Sequence, residues 1–385
     1  MRIKIKPNKI LNMFLMLLFC YLLQNNLFAQ LLPVFKSNNI GYIDSTGKIV
    51  IPCKYEAELD FIEYNVNGKS FVDFVLPMWS HFLNGSVTVK IPKKWLFFNN
   101  GYKYALVNDK GNYIFAPDDN FISGLSEGLV IYKRLFKTFE YAYDFKYGYV
   151  NMEGDIVINP QYRYASTFSD GAALVLDSIK YKFISKDGSN LFDIDFIDAT
   201  LFQDGIAAVK LTKEDTVYTF IDKTGKVIFP EKFKYAYNFI ENRARVYDGE
   251  YYGFIDKTGK YIVFPDYNKA EDFSEGLALV SKDLKYGFID SNSKIVIPID
   301  FKYAKSFSEG LAVVYLGCKF GFINKTGKLI IKNEFDYAKS FKFGLAQVWK
   351  NDEVYYINKK GEKVFTIFSK NKYRQICSKK IFKYK

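Results

Sequence analysis

Short runs of apolar residues alternate with polar ones along most of the chain, and the runs recur in a fixed order. In residues 277–310 an apolar run, Leu277–Val280, precedes the alternating segment YGFID, Tyr286–Asp290, and the β-branched segment KIVIP, Lys294–Pro298. Each run has the length and composition of a β-strand. We expect Pro298 to end the third strand because proline has no backbone N–H to donate. Aromatic, alanine and phenylalanine positions three residues apart then predict a short packed connector.

The whole pattern repeats. The second position of YGFID and its variants marks each repeat, and the markers are Gly41, Ala105, Gly148, Lys182, Thr219, Gly253, Gly287, Gly321 and Tyr355. From Thr219 onward consecutive markers are 34 residues apart. A fixed period of this length is typical of repeat architectures in which each unit buries its apolar face against its neighbours.

These units predict an all-β fold, a tandem array of about nine repeats of ~34 residues over residues 31–365. Three strands in 34 residues favour an open, twisting, solenoid-like array. A closed β-propeller is the alternative, although its blades usually have four strands and about 40 residues or more.

Two insertions interrupt the regular spacing, at residues 56–104 and 129–146. Insertions in repeat proteins commonly lie in loops on one face, which is often the binding face. Aromatic residues in or near the first insertion are therefore candidates for an exposed binding surface. They are Trp79, Trp95, Tyr102 and Tyr104.

The Lys-Thr-Gly sequences within the repeats resemble a catalytic motif of serine β-lactamases but are interpreted as turns. Asp, Asn or Ser stands at the first turn position of every unit, and glycine stands at the fourth in all but one. This is the signature of a type I turn followed by a glycine with positive φ. The structural turn residues include Asp222, Gly225, Asp256, Gly259, Asn324 and Gly327. A second recurring segment, Ser-Glu-Gly, is also interpreted as a solvated turn.

The repeats resemble those of the WG-repeat family, also called KWG repeats. The matching stretches are KYGFIDSNSK at 285–294, KFGFINKTGK at 319–328 and FSEGLAVV at 307–314, and the resemblance extends over nearly all of 40–363. This chain has Tyr or Phe where the family favours Trp. The resemblance implies a tandem-repeat scaffold in bacterial, often exported, proteins. It implies no reaction and no functional residues.

The two ends of the chain carry its positive charge. Residues 1–29 begin with basic residues, continue with a short apolar run and end with the small residue Ala29, after which cleavage is expected. This pattern predicts a secretory signal peptide. Processing as a lipoprotein at Cys20 is the alternative.

A basic tail is predicted at 366–385, and without the two ends the body is nearly neutral. The tail is interpreted as a solvated terminus, with attraction to an anionic envelope surface as the alternative. No nucleic-acid partner is expected.

No catalytic or metal-binding set is evident. The single histidine, His81, lies in the first insertion, and Cys53, Cys318 and Cys377 do not define a disulfide framework. We expect no cofactor and no metal.

The leading hypothesis is an exported, monomeric, non-enzymatic scaffold that binds an unknown protein or a cell-envelope glycan. The alternative is a glycan-acting hydrolase with its site in the N-terminal insertions.

Overall fold

The computed structural model describes residues 31–36, 39–56, 60–66, 69–75, 86–95, 98–118, 121–139, 142–212 and 217–369. The predicted signal peptide, His81, Cys377 and residues 370–385 of the predicted tail lie outside these ranges. The regular elements of the described residues are all β-strands, and the last strand continues to Phe368. None of these residues belongs to a helix that could cross a membrane.

The strands form nine repeat units within the described residues. Unit 1 contains β1 (Leu32–Lys36), β2 (Asn39–Ile43) and β3 (Ile49–Glu56), and a separate hairpin follows with β4 (Asp60–Val66) and β5 (Lys69–Val75). Unit 2 contains β6 (Ser86–Trp95), β7 (Phe98–Asn108) and β8 (Tyr113–Asp118), and unit 3 contains β9 (Phe121–Ser126), β10 (Leu129–Phe139), β11 (Ala142–Val150) and β12 (Ile156–Tyr162). Unit 4 contains β13 (Tyr164–Ala165), β14 (Ala173–Asp177) and β15 (Lys180–Ile184), and unit 5 contains β16 (Asp198–Ala199), β17 (Ile206–Lys210) and β18 (Thr219–Asp222).

The C-terminal units are the most regular. Unit 6 contains β19 (Tyr235–Ile240), β20 (Arg243–Tyr247), β21 (Tyr252–Ile255) and β22 (Tyr261–Tyr267), and unit 7 contains β23 (Lys269–Ala270), β24 (Ala278–Lys282), β25 (Lys285–Ile289) and β26 (Ile295–Phe301). Unit 8 contains β27 (Ala312–Leu316), β28 (Lys319–Ile323) and β29 (Leu329–Phe335), and unit 9 contains β30 (Tyr337–Ala338), β31 (Leu345–Lys350), β32 (Glu353–Asn358) and β33 (Lys363–Phe368).

Each complete unit is a four-stranded antiparallel sheet whose strands follow one another in chain order, as in β30-β31-β32-β33. The three strands of units 1, 2 and 8 correspond to its second, third and fourth strands, and those of units 4 and 5 to its first, second and third. The first strand has only two residues in units 4, 5, 7 and 9. The sheets of units 3 to 9 are separate, and a single backbone pair, Glu56 with Lys90, joins those of units 1 and 2. The predictions of an all-β chain and of a tandem repeat array are therefore confirmed.

The prediction that pairing ends at the repeat proline is wrong. In unit 7 the fourth strand continues through Pro298 to Phe301, and two extra residues bulge out between the pairs Phe288–Ile297 and Tyr286–Phe301. Proline is tolerated there because a bulge at a sheet edge leaves backbone groups unpaired. The bulge lies directly over Gly287, where a Cβ atom would be 2.6 Å from Cα of Ile299. The glycine of the YGFID segment is thus required by this close approach of two backbones.

Neighbouring units contact each other through the turn between the third and fourth strands. The turn glycine of one unit lies against the fourth strand of the unit before it, or against the segment that takes its place, as in unit 5. A Cβ atom on Gly361 of unit 9 would be 3.0 Å from Ile331 of unit 8, and one on Gly259 of unit 6 would be 2.7 Å from Phe229 of unit 5. Between the sheets, the alanine and phenylalanine columns are buried, as with Ala270 and Phe273. Burial of one Phe side chain stabilises the fold by about 1.5–3 kcal/mol.

The first and last units are also in contact. A Cβ atom on the turn residue Gly47 of unit 1 would be 2.7 Å from Val364 of unit 9, so unit 1 follows unit 9 as each unit follows its predecessor. The Tyr356 hydroxyl donates a hydrogen bond of 3.0 Å to the Pro33 carbonyl, and Val34 shares a buried cluster with unit 9. Among the described strands no backbone ladder joins the two ends. Side chains therefore bring the two ends of the array together, as they do at the junctions between the separate sheets of units 3 to 9.

Candidate binding surface

The connection between the second and third strands differs between units. In unit 7 it is a two-residue turn, Asp283-Leu284, between strands of five residues. In units 2 and 3 the same connection is a long hairpin, β6–β7 and β10–β11, with strands of 9 to 11 residues. Two neighbouring units therefore extend a ribbon from the same connection. The hairpin β4–β5 is a third addition, just before unit 2.

The hairpin of unit 3 exposes aromatic side chains on both of its faces. Phe136 pairs across the ladder with Asp144, and Phe145 pairs with Leu135, so the two rings lie on opposite faces. The Phe136 side chain is 37% exposed and that of Phe145 is 47% exposed. A two-stranded ribbon has no second layer of its own to cover such rings. These rings are therefore available to a partner.

A cation lies against each exposed ring. The Lys133 ammonium is 3.7 Å from the centre of the Phe145 ring, and the Arg134 guanidinium is 5.6 Å from the centre of the Phe136 ring. Cation–π contacts of this kind contribute about 0.5–1 kcal/mol at exposed sites. In sequence, residues 86–108 contain four lysines and no acid, and residues 129–150 contain four basic residues and two acids. Both hairpins thus combine aromatic residues with net positive charge.

The aromatic candidates from the sequence have different positions. Trp79 lies outside the described residues. Trp95 pairs with Phe98 at the end of the β6–β7 ladder, and Tyr102 pairs with Pro92. Tyr104 is half-buried and packs against a small core cluster that includes Leu106 and Val130. The sequence did not distinguish Tyr104 from the outer hairpin positions because both follow the same alternation of large and polar residues.

The six turn residues predicted from the sequence have the geometry of a hydrogen-bonded turn. In unit 6 the Gly259 N–H donates to the Asp256 carbonyl at 3.0 Å, and φ of Gly259 is +86°. The Asp256 carboxylate accepts bonds from the Thr258 hydroxyl at 2.6 Å and from the backbone N–H of Thr258 at 2.8 Å. These bonds, with the Thr258 hydroxyl foremost, lower the pKa of Asp256 below its ordinary value. Asp222 with Gly225 and Asn324 with Gly327 make the same turn bonds.

The lysine of the turn has a role that the sequence did not reveal. Lys325 of unit 8 forms an ion pair of 3.2 Å with Glu275 of unit 7, whose carboxylate also accepts the Gly310 N–H at 3.0 Å. The acid of each Ser-Glu-Gly segment therefore bridges to the next unit. Equivalent bridges involve Glu127 with Gly171 and Lys186, Asp170 with Gly205, Asp204 with Lys257, Glu241 with Gly276, and Glu309 with Gly344 and Lys359. The expectation of a merely solvated turn is wrong, because these acids hold the units together.

Within the described part of the chain, no three His, Cys, Asp or Glu side chains lie close enough together to hold a metal ion. Cys53 and Cys318 are not joined by a disulfide; the Cys53 thiol lies 3.7 Å from the Val34 carbonyl, and Cys318 is exposed.

The repeats of this chain match the model of a known protein family. The model of the WG containing repeat matches six segments, at residues 40–72, 147–177, 218–251, 252–286, 286–317 and 320–353, which together span just over half of the chain. The chain belongs to the WG-repeat family. The matched segments include most of units 1 and 8 and all of units 6 and 7, and they end at residue 353, within unit 9. No curated protein matches the chain.

Several solved structures are similar to the WG-repeat chain at low sequence identity. A crystal structure described as the eukaryotic initiation factor has a TM-score of 0.55 at 13% identity, covering 87% of this chain and 94% of that one. AztD of Citrobacter koseri has a TM-score of 0.37 at 10% identity, covering 72% and 92%. Hsv2 of Kluyveromyces lactis has a TM-score of 0.34 at 10% identity, covering 49% and 71%. The first of these supports a β-repeat fold and carries no information on function.

Proposed function

We propose that this protein is an exported, non-enzymatic binding scaffold, and that the β6–β7 and β10–β11 hairpins contact its partner, a protein or a cell-envelope glycan. A β-repeat array provides a rigid frame, and the two hairpins are among the places where the repeat pattern departs from that frame. The observation that carries the proposal is the pair of exposed rings, Phe136 and Phe145, each with a cation against it.

The chemistry of the hairpins suits a partner with acidic and apolar character. Aromatic side chains supply contact area at low cost in conformational entropy, and they are enriched where binding energy is concentrated. Lysine and arginine beside them favour encounter with anionic groups and make the association sensitive to salt. Residues 1–29 are consistent with export, because their pattern is that of a secretory signal peptide.

The test is co-sedimentation of the purified mature chain with a cell-envelope fraction, comparing wild type with Phe136→Ser/Phe145→Ser. We expect the double variant to lose at least tenfold in apparent affinity with an unchanged circular dichroism spectrum, since neither ring belongs to the core. The matched control is Phe264→Ser, which removes a ring that is 73% exposed on the fourth strand of unit 6 and should leave binding unchanged.

Two results would contradict the proposal. Equal binding by the double variant would place the partner site away from these hairpins. Release of reducing sugar from peptidoglycan or polysaccharide, abolished by one Asp or Glu substitution in the N-terminal insertions, would support the hydrolase hypothesis instead.

A further inference from the structure

A series of aromatic contacts runs from unit to unit and is interrupted once in the C-terminal half. Ring centres are 6.0 Å apart for Tyr235–Tyr247 and 4.8 Å apart for Tyr247–Tyr252. The series resumes from Tyr286 and continues through the next two units, with contacts Tyr286–Tyr303, Tyr303–Phe320, Phe320–Tyr337 and Tyr337–Trp349 at 5.1 to 6.3 Å. The gap lies between Tyr252 of unit 6 and Tyr286 of unit 7.

Two residues of unit 7 cause the gap. Lys269 and Ser281 are cross-strand partners, and they stand where unit 6 pairs Tyr235 with Tyr247 and unit 9 pairs Tyr337 with Trp349. Ser281 is only 3% exposed, so a small side chain occupies a buried position that holds a large ring in the units on either side. The space left is a cavity of about 410 Å³, bordered by Tyr252 and Tyr286. Cavities that bind small molecules commonly measure about 300–1,000 Å³.

The same junction carries charged side chains at positions that are apolar or neutral elsewhere. Arg245 stands where units 7 and 8 have Leu279 and Val313, and its side chain is 16% exposed. Its guanidinium lies 3.8 Å from the centre of the Tyr237 ring, and Nε is 3.1 Å from Oδ1 of Asp272. A partly buried ion pair does not in general stabilise a fold more than apolar residues of similar size. The pair therefore distinguishes this junction from those of units 7 and 8, where the same column is apolar.

The charges at the cavity are balanced. Arg245 is paired with Asp272, and the exposed residues Lys269 and Glu271 add one charge of each sign at the edge. A phosphate or another strong anion would need a net positive site. Balanced donors and acceptors beside tyrosine rings suit a neutral ring that carries many hydroxyl groups, because its apolar faces pack on aromatic side chains and its edges form hydrogen bonds.

We propose that the cavity between units 6 and 7 binds one pyranose residue of a glycan, held between Tyr252 and Tyr286 with its hydroxyl groups directed to Arg245, Lys269 and Glu271. This site is separate from the hairpins of units 2 and 3. Its outcome is therefore independent of the partner proposed for them.

The test is ligand-observed saturation-transfer NMR with the neutral trisaccharides chitotriose and maltotriose, using wild type and Ser281→Tyr. Units 6 and 8 carry tyrosine at the equivalent positions, Tyr247 and Tyr315, so this variant fills the cavity with a residue that the fold already accommodates. We expect saturation transfer to at least one of the sugars with wild type and at least a tenfold loss with Ser281→Tyr. Leu284→Tyr places the same ring on a turn residue that is 86% exposed, and it should bind like wild type.

A second variant tests the polar side of the cavity. Arg245→Leu/Asp272→Ser installs the residues that stand 34 positions later, Leu279 and Ser306, and so removes the ion pair while keeping an established repeat sequence. We expect it to fold and to lose the sugar signal, whereas Phe136→Ser/Phe145→Ser should keep it. Absence of transfer from wild type to either sugar, or undiminished transfer with Ser281→Tyr, would overturn the proposal and identify the cavity as a packing defect.

Discussion

The junction between units 8 and 9 and the junction between units 9 and 1 have the same shape but different chemistry. At the first, Glu309 accepts the Gly344 N–H at 2.9 Å and pairs with Lys359 at 3.2 Å. At the second, Phe343 stands in the acid column and Ser45 in the lysine column. Gly344 lies against Ser45, since a Cβ atom on Gly344 would be 3.5 Å from Cβ of Ser45, and Phe343 packs on the apolar cluster shared with Val34.

The difference has a physical reason. At the internal junctions the carboxylate pairs with the turn lysine of the next unit, and in unit 1 that position holds Ser45. Without a cation there, a partly buried carboxylate would lack its ionic partner, which costs free energy. An aromatic ring requires no such partner. The two ends therefore meet through apolar packing, while the internal junctions add ionic bridges to the packing.

The largest expected effect comes from a charge placed in the contact between the ends. Val34 is 0% exposed, and every regular unit has an equivalent buried valine, such as Val280 in unit 7. Val34→Asp should lower the free energy of unfolding by about 3–5 kcal/mol, as expected for an unpaired buried charge. Urea denaturation followed by circular dichroism measures this, with Val280→Asp as the internal reference. A cost below about 1 kcal/mol for Val34→Asp alone would mean that the ends do not pack in solution.

A smaller effect should follow when the ionic bridge is built into the closing junction. Phe343→Glu removes apolar contact and leaves its carboxylate without a lysine partner, since position 45 is a serine, so we expect a loss of about 1–2 kcal/mol. Adding Ser45→Lys restores the partner found at Lys359, and the double variant should regain up to about 1 kcal/mol. A double-mutant cycle in thermal unfolding measures the coupling. Zero coupling would show that residues 45 and 343 are not neighbours.

The shape of the two junctions is tested by the turn glycines. Gly47 at the closing junction and Gly361 at the internal one both have positive φ and lie against a fourth strand, whereas Gly310 has φ of +87° with no atom within 4 Å of a Cβ position. Gly310→Ala measures the cost of the backbone conformation alone, about 1 kcal/mol. Gly47→Ala and Gly361→Ala should each cost about 1 kcal/mol more, because a side chain must be displaced. Equal costs for all three would refute the contact.

Much of this architecture could be read from the sequence. The repeat period predicted the length of the structural unit. The recurring alanine and phenylalanine positions, such as Ala304 and Phe307, predicted residues that are buried in its core. The Asp or Asn and Gly columns gave the turn, because few residues satisfy its hydrogen bonds and positive φ.

Other features depend on which positions of different units become neighbours. Nothing local shows that Lys325 reaches Glu275, 50 residues earlier, or that Val364 lies against Gly47. The strand through Pro298 was missed because its tolerance depends on an edge position. At the candidate surface, the alternation of large residues did not separate the half-buried Tyr104 from the exposed Phe145. Burial there depends on where the hairpin leaves the body of the protein.

The smallest expected effect is the pH dependence of the ionic bridges. Burial opposes ionisation of Glu127, but bonds from Lys186 and from the Gly171 N–H outweigh it and lower the pKa of the carboxyl group. Since the folded pKa lies below the unfolded value of about 4.3, the stability from this bridge is complete above that pH and is lost as the pH falls through the folded pKa. Glu127→Gln should therefore lower the free energy of unfolding by at most about 1 kcal/mol at pH 7 and by less in high salt. In acid its stability should become equal to that of wild type.

The control is Phe343→Ser, which changes the closing junction, where no carboxylate takes part. Its difference in stability from wild type should not depend on pH in the same thermal unfolding series. A pH-independent difference for Glu127→Gln would mean that the bridge stabilises the junction by packing and not by charge.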